Sequence, residues 1–381
     1  MSKPDSSRID GLDSLRGLAA AVVLVHHCYF ILRRSDTGWL SDIRFSPLRL
    51  FIAGHAAVIV FFVLSGFVLA LPQASKQIHA FDFIVRRTCR IYIPFAAAIF
   101  LSAAIVIFVP RTDLIPGAGE GLNFPWPHQL NPSVVAGHLL MLGTTQDVEL
   151  DPPIWSLVHE YRISLIFLVL LWCIRRRPVI TLATTVAAAI AAAAGLVATG
   201  DADDGVVITS GTVIGSLLIT LRYLPLFIIG AYMALDKRVI AASRAISPAI
   251  RFFLMLAGAV LLSGPSVPVW SDIPLTVGAI MLTFVLVSGW QPFFLKAKVS
   301  RWLGRVSFSL YLVHVPIIIA SCFLLTSIMP VEAAVLLGAC LSLLGAQFMY
   351  VTVEANAHKL GKYLGNIIQK ASPKKVTPIQ S

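Results

Sequence analysis

Apolar residues fall along this chain in long runs, near 12–32, 49–71, 91–109, 154–174, 179–198, 209–235, 250–264, 273–290, 306–328 and 331–353. Most approach the roughly 20 residues a helix needs to cross a bilayer, so the pattern predicts ten transmembrane helices. The run 250–264 is the shortest and stops at Gly264-Pro265, which leaves partial insertion as an alternative to a full crossing. Short polar connections separate the runs. The exception is 110–153, rich in proline and carrying an apolar piece at 134–142 that is expected to form an interfacial helix or a lid. No internal repeat stands out, which lowers the case for an inverted-repeat transporter. The expected fold class is all-α: a polytopic membrane protein with about ten transmembrane helices.

Charge orients this bundle. Of the 30 lysines and arginines, 22 fall on one set of alternating connections and the two tails, and five on the other set. The remaining three, Arg16, Arg162 and Arg222, lie in or at the edge of helices. Cytoplasmic N- and C-termini follow from the positive-inside rule. The net charge of +11 is then a topology signal spread over short loops, and no nucleic-acid partner is expected. Only 13% of residues are charged, against about 25% in soluble domains, so the lipid bilayer is the first partner implied. The five cysteines, Cys28, Cys89, Cys173, Cys322 and Cys340, are scattered and mostly inside apolar runs. They read as packing residues, with neither a disulfide framework nor a metal site. No basic segment with a cleavage site precedes the first run, and Asp5, Asp10 and Asp13 do, so that helix is expected to remain in the protein. Acidic residues gather in the outer connections, Asp147, Glu149 and Asp151 in one and Asp201, Asp203 and Asp204 in another. They read as solvated loops or as recognition elements on a rigid scaffold.

Polar side chains at membrane depth carry the candidate chemistry, because an ionisable group there is costly unless it faces a partner or a watery cavity. Arg16 and His27 are eleven residues apart, three helical turns, which places them on one face about 16 Å apart along the axis. His26 points about 100° away and has a weaker claim to that stripe. Ser65-Gly66 reads either as close helix packing or as room for a linear substrate. The segment IWSLVHEYRISL brings Trp155, His159, Glu160 and Arg162 to the start of one helix. Glu160 and Arg162 are two residues apart and share no face, so Glu160 is expected to point inward to a histidine or arginine elsewhere. Arg222, Tyr311 and His314 are further intramembrane groups, each with structural hydrogen bonding as the plain alternative. The run RRTCR, with Arg86, Arg87 and Arg90, is both a topology signal and a good phosphate cradle.

These residues resemble the membrane acyltransferase 3 family, typified by bacterial O-antigen and exopolysaccharide O-acetylases. The resemblance rests on LDSLRGLAAAVVLVHH with Arg16 and His27, FFVLSGFVLA, RRTCRIYIP, IWSLVHE ending in Glu160, and SFSLYLVHVPI with Tyr311 and His314. It implies a ten-helix enzyme of the cell inner membrane that moves an acyl group, usually acetyl, from cytoplasmic acyl-CoA to a hydroxyl on an extracytoplasmic sugar. Residues 1–353 would form that membrane domain and 354–381 a basic cytoplasmic tail.

An acyl thioester is already activated, so such an enzyme needs a base for the attacking hydroxyl, oxyanion stabilisation and a phosphate site. On the resemblance, Arg87 and Arg90, with Arg86 beside them and Arg16 innermost, hold the phosphates of acyl-CoA, the co-substrate. The pantetheine arm passes Ser65-Gly66, and His27 is the general base, oriented or assisted by Glu160 or His314. Trp155, Tyr311 and Arg222 are expected to bind substrate. An acyl-histidine intermediate is the alternative mechanism. A transporter or flippase of a polysaccharide precursor is the alternative function, and the asymmetry of the polar set, arginines at one end and histidine with carboxylate deeper, speaks for the enzyme.

Overall fold

A computed structural model describes residues 10–33, 42–74, 79–109, 115, 118–119, 129–146, 149–201, 208–264 and 272–371. Asp5, Asp147, Asp203, Asp204, the cations Lys3, Arg8, Arg34, Lys76, Arg111, Lys374 and Lys375, and most of 110–128 lie outside the described residues.

Every apolar run becomes a helix. In chain order these are α1 (Asp10–Leu32), α2 (Gly54–Ala70), α3 (Ala80–Phe108), α4 (Pro132–Leu139), α5 (Trp155–Arg176), α6 (Pro178–Ala198) and α7 (Val213–Leu235). There follow α8 (Lys237–Ala245), α9 (Pro248–Leu262), α10 (Asp272–Val287), α11 (Lys298–Leu325), α12 (Val331–Met349) and α13 (Ala355–Ala371). Among the described residues, eight helices are long and apolar enough to cross a membrane, and a ninth crossing arises if α8 and α9, bent by 110°, act as one broken span. The helix α10, with 16 residues, is shorter than a full span. The break between α8 and α9 has a local cause: Ser247 caps α9 by accepting a hydrogen bond from the Ile250 amide, and Pro248 occupies the first helical position.

Two helices begin well before their apolar runs. The start of α3 at Ala80 and of α11 at Lys298 shows that apolarity marks only the part facing lipid, while the polar first turns are helical too. Arg86, Arg87 and Arg90 therefore stand on the first turns of α3, at fixed helical spacing, and not on a loop. The piece 134–142 supplies α4, capped by Asn131 and opened by Pro132. Residues 355–371, part of the expected tail, form α13, which continues α12 through a single π turn at Tyr350–Glu354 and packs along α3.

The interior holds two large apolar clusters. One is built on α2, α7 and α10, with Phe62, Phe67, Tyr223 and Phe227 fully buried; the other on α3, α11 and α12, with Phe95, Ile99 and Leu310. Helix α2 is buried nearly all round, as a central helix of a bundle should be. Helix α1 runs along the seam, sending Leu12 into the first cluster and Ala20, Leu24 and Ile31 into the second. Its close approach to α11 depends on Gly17, where a side chain would run into the backbone at Leu303 and Gly304. Polar groups on α1 thus lie between two packed halves.

One half-buried cation fastens the outer elements. Arg162 donates to Ser216 Oγ at 2.9 Å, to Thr220 Oγ1 at 3.1 Å and to the carbonyls of Met141 and Leu142 at 3.0 and 2.6 Å. It lies on a different face from Glu160, as their spacing required. Arg162→Met is expected to lower stability by about 3 kcal/mol, because buried carbonyls lose their donor; thermal unfolding in detergent checks this.

Candidate functional site

The polar stripe of α1 opens into two cavities. At the Arg16 end lies one of ≈ 240 Å³, lined by Arg16, Ser65, Gln73, Arg86, Arg87, Arg90, His358 and Lys362 among others. At the His27 end lies one of ≈ 440 Å³, lined by His26, His27, Tyr29, Arg33, His55, Glu149, Trp155 and Tyr311 with several apolar residues. The stretch between them is filled by Ala19, Val23, Ala57 and Tyr311, with Val22 and Phe61 packed against it. Val23 and Tyr311 of this cluster also line the His27 cavity, and its α1 members Ala19 and Val23 are small.

At the Arg16 end the arginines divide by partner. Arg87 is buried at 8% exposure and donates to Glu160 Oε1 at 2.5 Å and to Ser164 Oγ at 3.0 Å. Ser65 donates to the same Glu160 oxygen at 3.0 Å. Arg86 pairs with Asp82 one turn earlier on α3. Arg16 and Arg90 make no hydrogen bond or ion pair with a described residue, so they present charge to the cavity. Glu160 and Glu354 are the carboxylates near enough to act on them, and neither is in direct contact, so the two guanidinium groups in a concave site can still receive phosphate oxygens.

At the His27 end the hydrogen bonds select a tautomer. His314 Nδ1 lies 2.9 Å from the Leu310 carbonyl, which can only accept, so that nitrogen carries the proton and Nε2 of neutral His314 keeps a lone pair. His27 Nδ1 stands 3.1 Å from that Nε2 and 2.9 Å from the Val23 carbonyl, so it donates to both. The consequence is chemical: Nε2 of neutral His27 is left unprotonated, beside the cavity, with no partner among the described residues. Should Nε2 take a proton, His314 Nε2 remains an acceptor for the opposite side of the ring.

The candidates are therefore sorted by end. His27, Trp155 and Tyr311 share one cavity, with His314 buried behind His27. Arg16, Ser65, Arg86, Arg87 and Arg90 share the other. Glu160 points inward as expected, but its carboxylate meets Arg87 and Ser65 and not His27; the imidazole in contact with His27 is His314. Gly66 lines neither cavity, since a side chain there would meet the backbone of Phe227, and the glycine lets α2 and α7 touch. Arg222 donates to Asp272 Oδ2 at 2.7 Å and is absent from the cavity lining. His26, given the weaker claim, does reach the cavity: its Nδ1 is 2.7 Å from the Ile52 carbonyl and its ring packs over Gly54.

Sequence reasoning missed His55 and Asp272. His55 Nε2 is 2.7 Å from Asp272 Oδ1, and the ring stacks against Trp155 with centroids 6.3 Å apart. Arg222, Asp272 and His55 form a chain from α7 through α10 to α2 that fixes one wall of the cavity. The signal was present in His55, inside the apolar run 49–71 and one residue into α2, but its partner lies 217 positions away.

Asp151, read from the sequence as part of a solvated loop or recognition element, departs from the solvated reading. It is fully buried, and neither carboxylate oxygen has a hydrogen-bond partner. Burial pushes its carboxyl well above the usual carboxylate range. The folded chain therefore holds this proton more tightly than the unfolded chain. Its share of stability is complete below the unfolded value, near 4, and is lost as pH rises toward the folded value. Asp151→Asn is expected to match the parent in Tm at low pH and to exceed it increasingly as pH rises; equal pH profiles would contradict the assignment.

Comparisons with known proteins agree with this arrangement. A family model described as an acyltransferase domain, acyltransferase 3, matches residues 9–351. The O-acetyltransferase PaAT-1 of Phomopsis amygdali is 25% identical over 204 residues, 43% of this chain and 40% of that protein. The acyltransferase MdmB of Streptomyces mycarofaciens is 30% identical over 187 residues, 46% of this chain and 42% of its own length. The matched region thus spans about two fifths of each of these curated relatives. No solved structure matches. With its family match running through α1 to α12 and taking in most of the lining of both polar cavities, this multi-pass membrane protein belongs to the acyltransferase 3 family.

Proposed function

We propose that the protein is a membrane O-acyltransferase that takes an acyl group, in our reading acetyl, from acyl-CoA and delivers it to a hydroxyl of a carbohydrate or glycoconjugate. The observation that carries this reading is the pair of unlike cavities on one stripe of α1, arginine-rich at Arg16 and histidine- and aromatic-lined at His27. A phosphorylated donor suits the first and a hydroxylic acceptor the second. The name of one relative, an O-acetyltransferase, supports transfer to oxygen. The bias of lysine and arginine toward one set of connections supports a donor end facing the cytoplasm of a cell whose inner membrane houses the protein, and an acceptor from outside.

In this reading Arg16 and Arg90 grip the carrier's phosphates, Arg87 being held in place by Glu160. The carrier's arm extends along α1 for about 16 Å toward His27, parting the small residues Ala19 and Ala57. His27 Nε2 accepts the proton of the acceptor hydroxyl as its oxygen attacks the thioester carbon. The carbon–sulfur bond then breaks, and the departing thiolate takes that proton from His27, leaving an ester and free CoA thiol. The Trp155 indole N–H, which has no partner among the described residues, can donate to the developing oxyanion or to the sugar.

The test is thiol release from acetyl-CoA by purified protein supplied with a panel of glycosides. Arg90→Ala is expected to raise KM for acetyl-CoA about tenfold, the loss of one charge-assisted hydrogen bond, with only partial rescue by Arg90→Lys. Ala19→Phe should retain donor binding and lose transfer. Absence of acetyl-CoA consumption under all conditions would overturn the reading.

A further inference from the structure

We infer that α13 is a wall of the donor site, and that Lys362 binds the outermost phosphate of the nucleotide carrier, the one on the ribose of CoA; this rests on the acyl-CoA reading above. Lys362 and His358 stand one helical turn apart and line the same cavity as Arg16 and Arg90. Helix α13 lies beyond the residues 9–351 that the family model matches, so its contribution is a feature of this chain over and above the shared domain.

Three observations hold α13 in that position. Its backbone presses on α3 at Gly361 and Gly365, where side chains would run into Arg86, Cys89 and Asp82. Asn366 Oδ1 accepts from Arg86 at 2.9 Å, and Gln369 donates to Asp82 Oδ2 at 2.7 Å. On the opposite side of the wheel Leu360, Tyr363 and Ile367 are exposed at helical spacing, an apolar stripe suited to the membrane interface. Docking on α3 and contact with lipid together fix the helix's rotation, and His358 and Lys362, on the same side of the wheel as Gly365 and Asn366, are thereby turned toward α3 and the cavity.

Charge then points to the ligand. Arg86 is matched by Asp82 and Arg87 by Glu160, whereas Arg16, Arg90 and Lys362 have no ion-pair partner among the described residues. Five cations, Arg16, Arg86, Arg87, Arg90 and Lys362, line one cavity of ≈ 240 Å³, and the carboxylates of Asp82, Glu160 and Glu354 near them offset only part of that charge, which leaves the cavity suited to a polyanion. A carrier that enters thiol first leaves its nucleotide end at the mouth, where Lys362 is exposed, and places its diphosphate deeper, where Arg90 is half-buried.

The experiment compares acetyl-CoA with acetyl-dephospho-CoA, which lacks only the ribose phosphate. Lys362→Ala is expected to raise KM about tenfold for acetyl-CoA, as for one lost charged hydrogen bond, and to leave the KM for acetyl-dephospho-CoA near that of the parent. Lys362→Glu should exaggerate the split and Lys362→Arg should erase it. An equal rise for both donors, or no rise for either, would overturn the inference while leaving the acyl-CoA reading standing. A parent enzyme inactive with every acyl-CoA would overturn that reading, and this inference with it.

Discussion

His27→Ala is expected to lower acyl transfer by about 10³-fold, within the range attributed to a positioned general base, while the protein still inserts and folds. The alanine removes an imidazole whose Nε2 lone pair is made available by two carbonyls: Leu310 sets the tautomer of His314, and Val23, with His314, sets that of His27. Removing a polar group from an apolar helix favours insertion, so lost activity would not be lost structure. His314 contacts His27 and does not line the cavity, so in the proposed mechanism it is a positioning residue. His314→Ala should cost between about ten- and a hundredfold, as loss of an orienting partner does in other sites. His314→Gln should recover part of this, because its amide oxygen can accept from His27 Nδ1. Transfer at near-parental rates by His27→Ala, measured as thiol release and ester formation together, would remove histidine from the mechanism.

The second large effect concerns stability. Glu160→Ala is expected to destabilise the protein by about 3–5 kcal/mol, the usual result of leaving one member of a buried ion pair without the other. Arg87 is deep in the bundle and its guanidinium has only Glu160 to balance it directly. The double variant Glu160→Leu with Arg87→Met should regain most of that stability, since a pair of apolar residues carries no buried charge. Its donor affinity should fall even so, because Glu160 and Arg87 hold the wall on which Arg90 stands. Denaturation in detergent combined with acetyl-CoA binding separates the two effects. A double variant as unstable as the single one would show that the pair does more than balance charge.

Much of this protein is determined by local sequence. Apolar runs long enough to span a bilayer must be helical there, since no other open structure satisfies the backbone in lipid, and this alone dictates the all-α fold class. Arginine and histidine eleven residues apart on one such run must share a face, and so the stripe from Arg16 to His27 was readable before any packing was known. Position along a helix says nothing about what stands opposite. That Glu160 meets Arg87 and not His27, that Arg222 serves Asp272, and that His55 joins the cavity were decided by which helices lie side by side, through contacts up to 217 positions apart. The tail shows the same limit most plainly. Residues 355–371 set Leu360, Tyr363, Leu364 and Ile367 at helical spacing among lysines and amides, so an amphipathic helix is legible there, and not only the basic tail expected from the charges. What the tertiary structure decided is where that helix docks: glycine at 361 and 365 lets its backbone approach α3, and this puts Lys362 at the edge of the arginine-lined cavity.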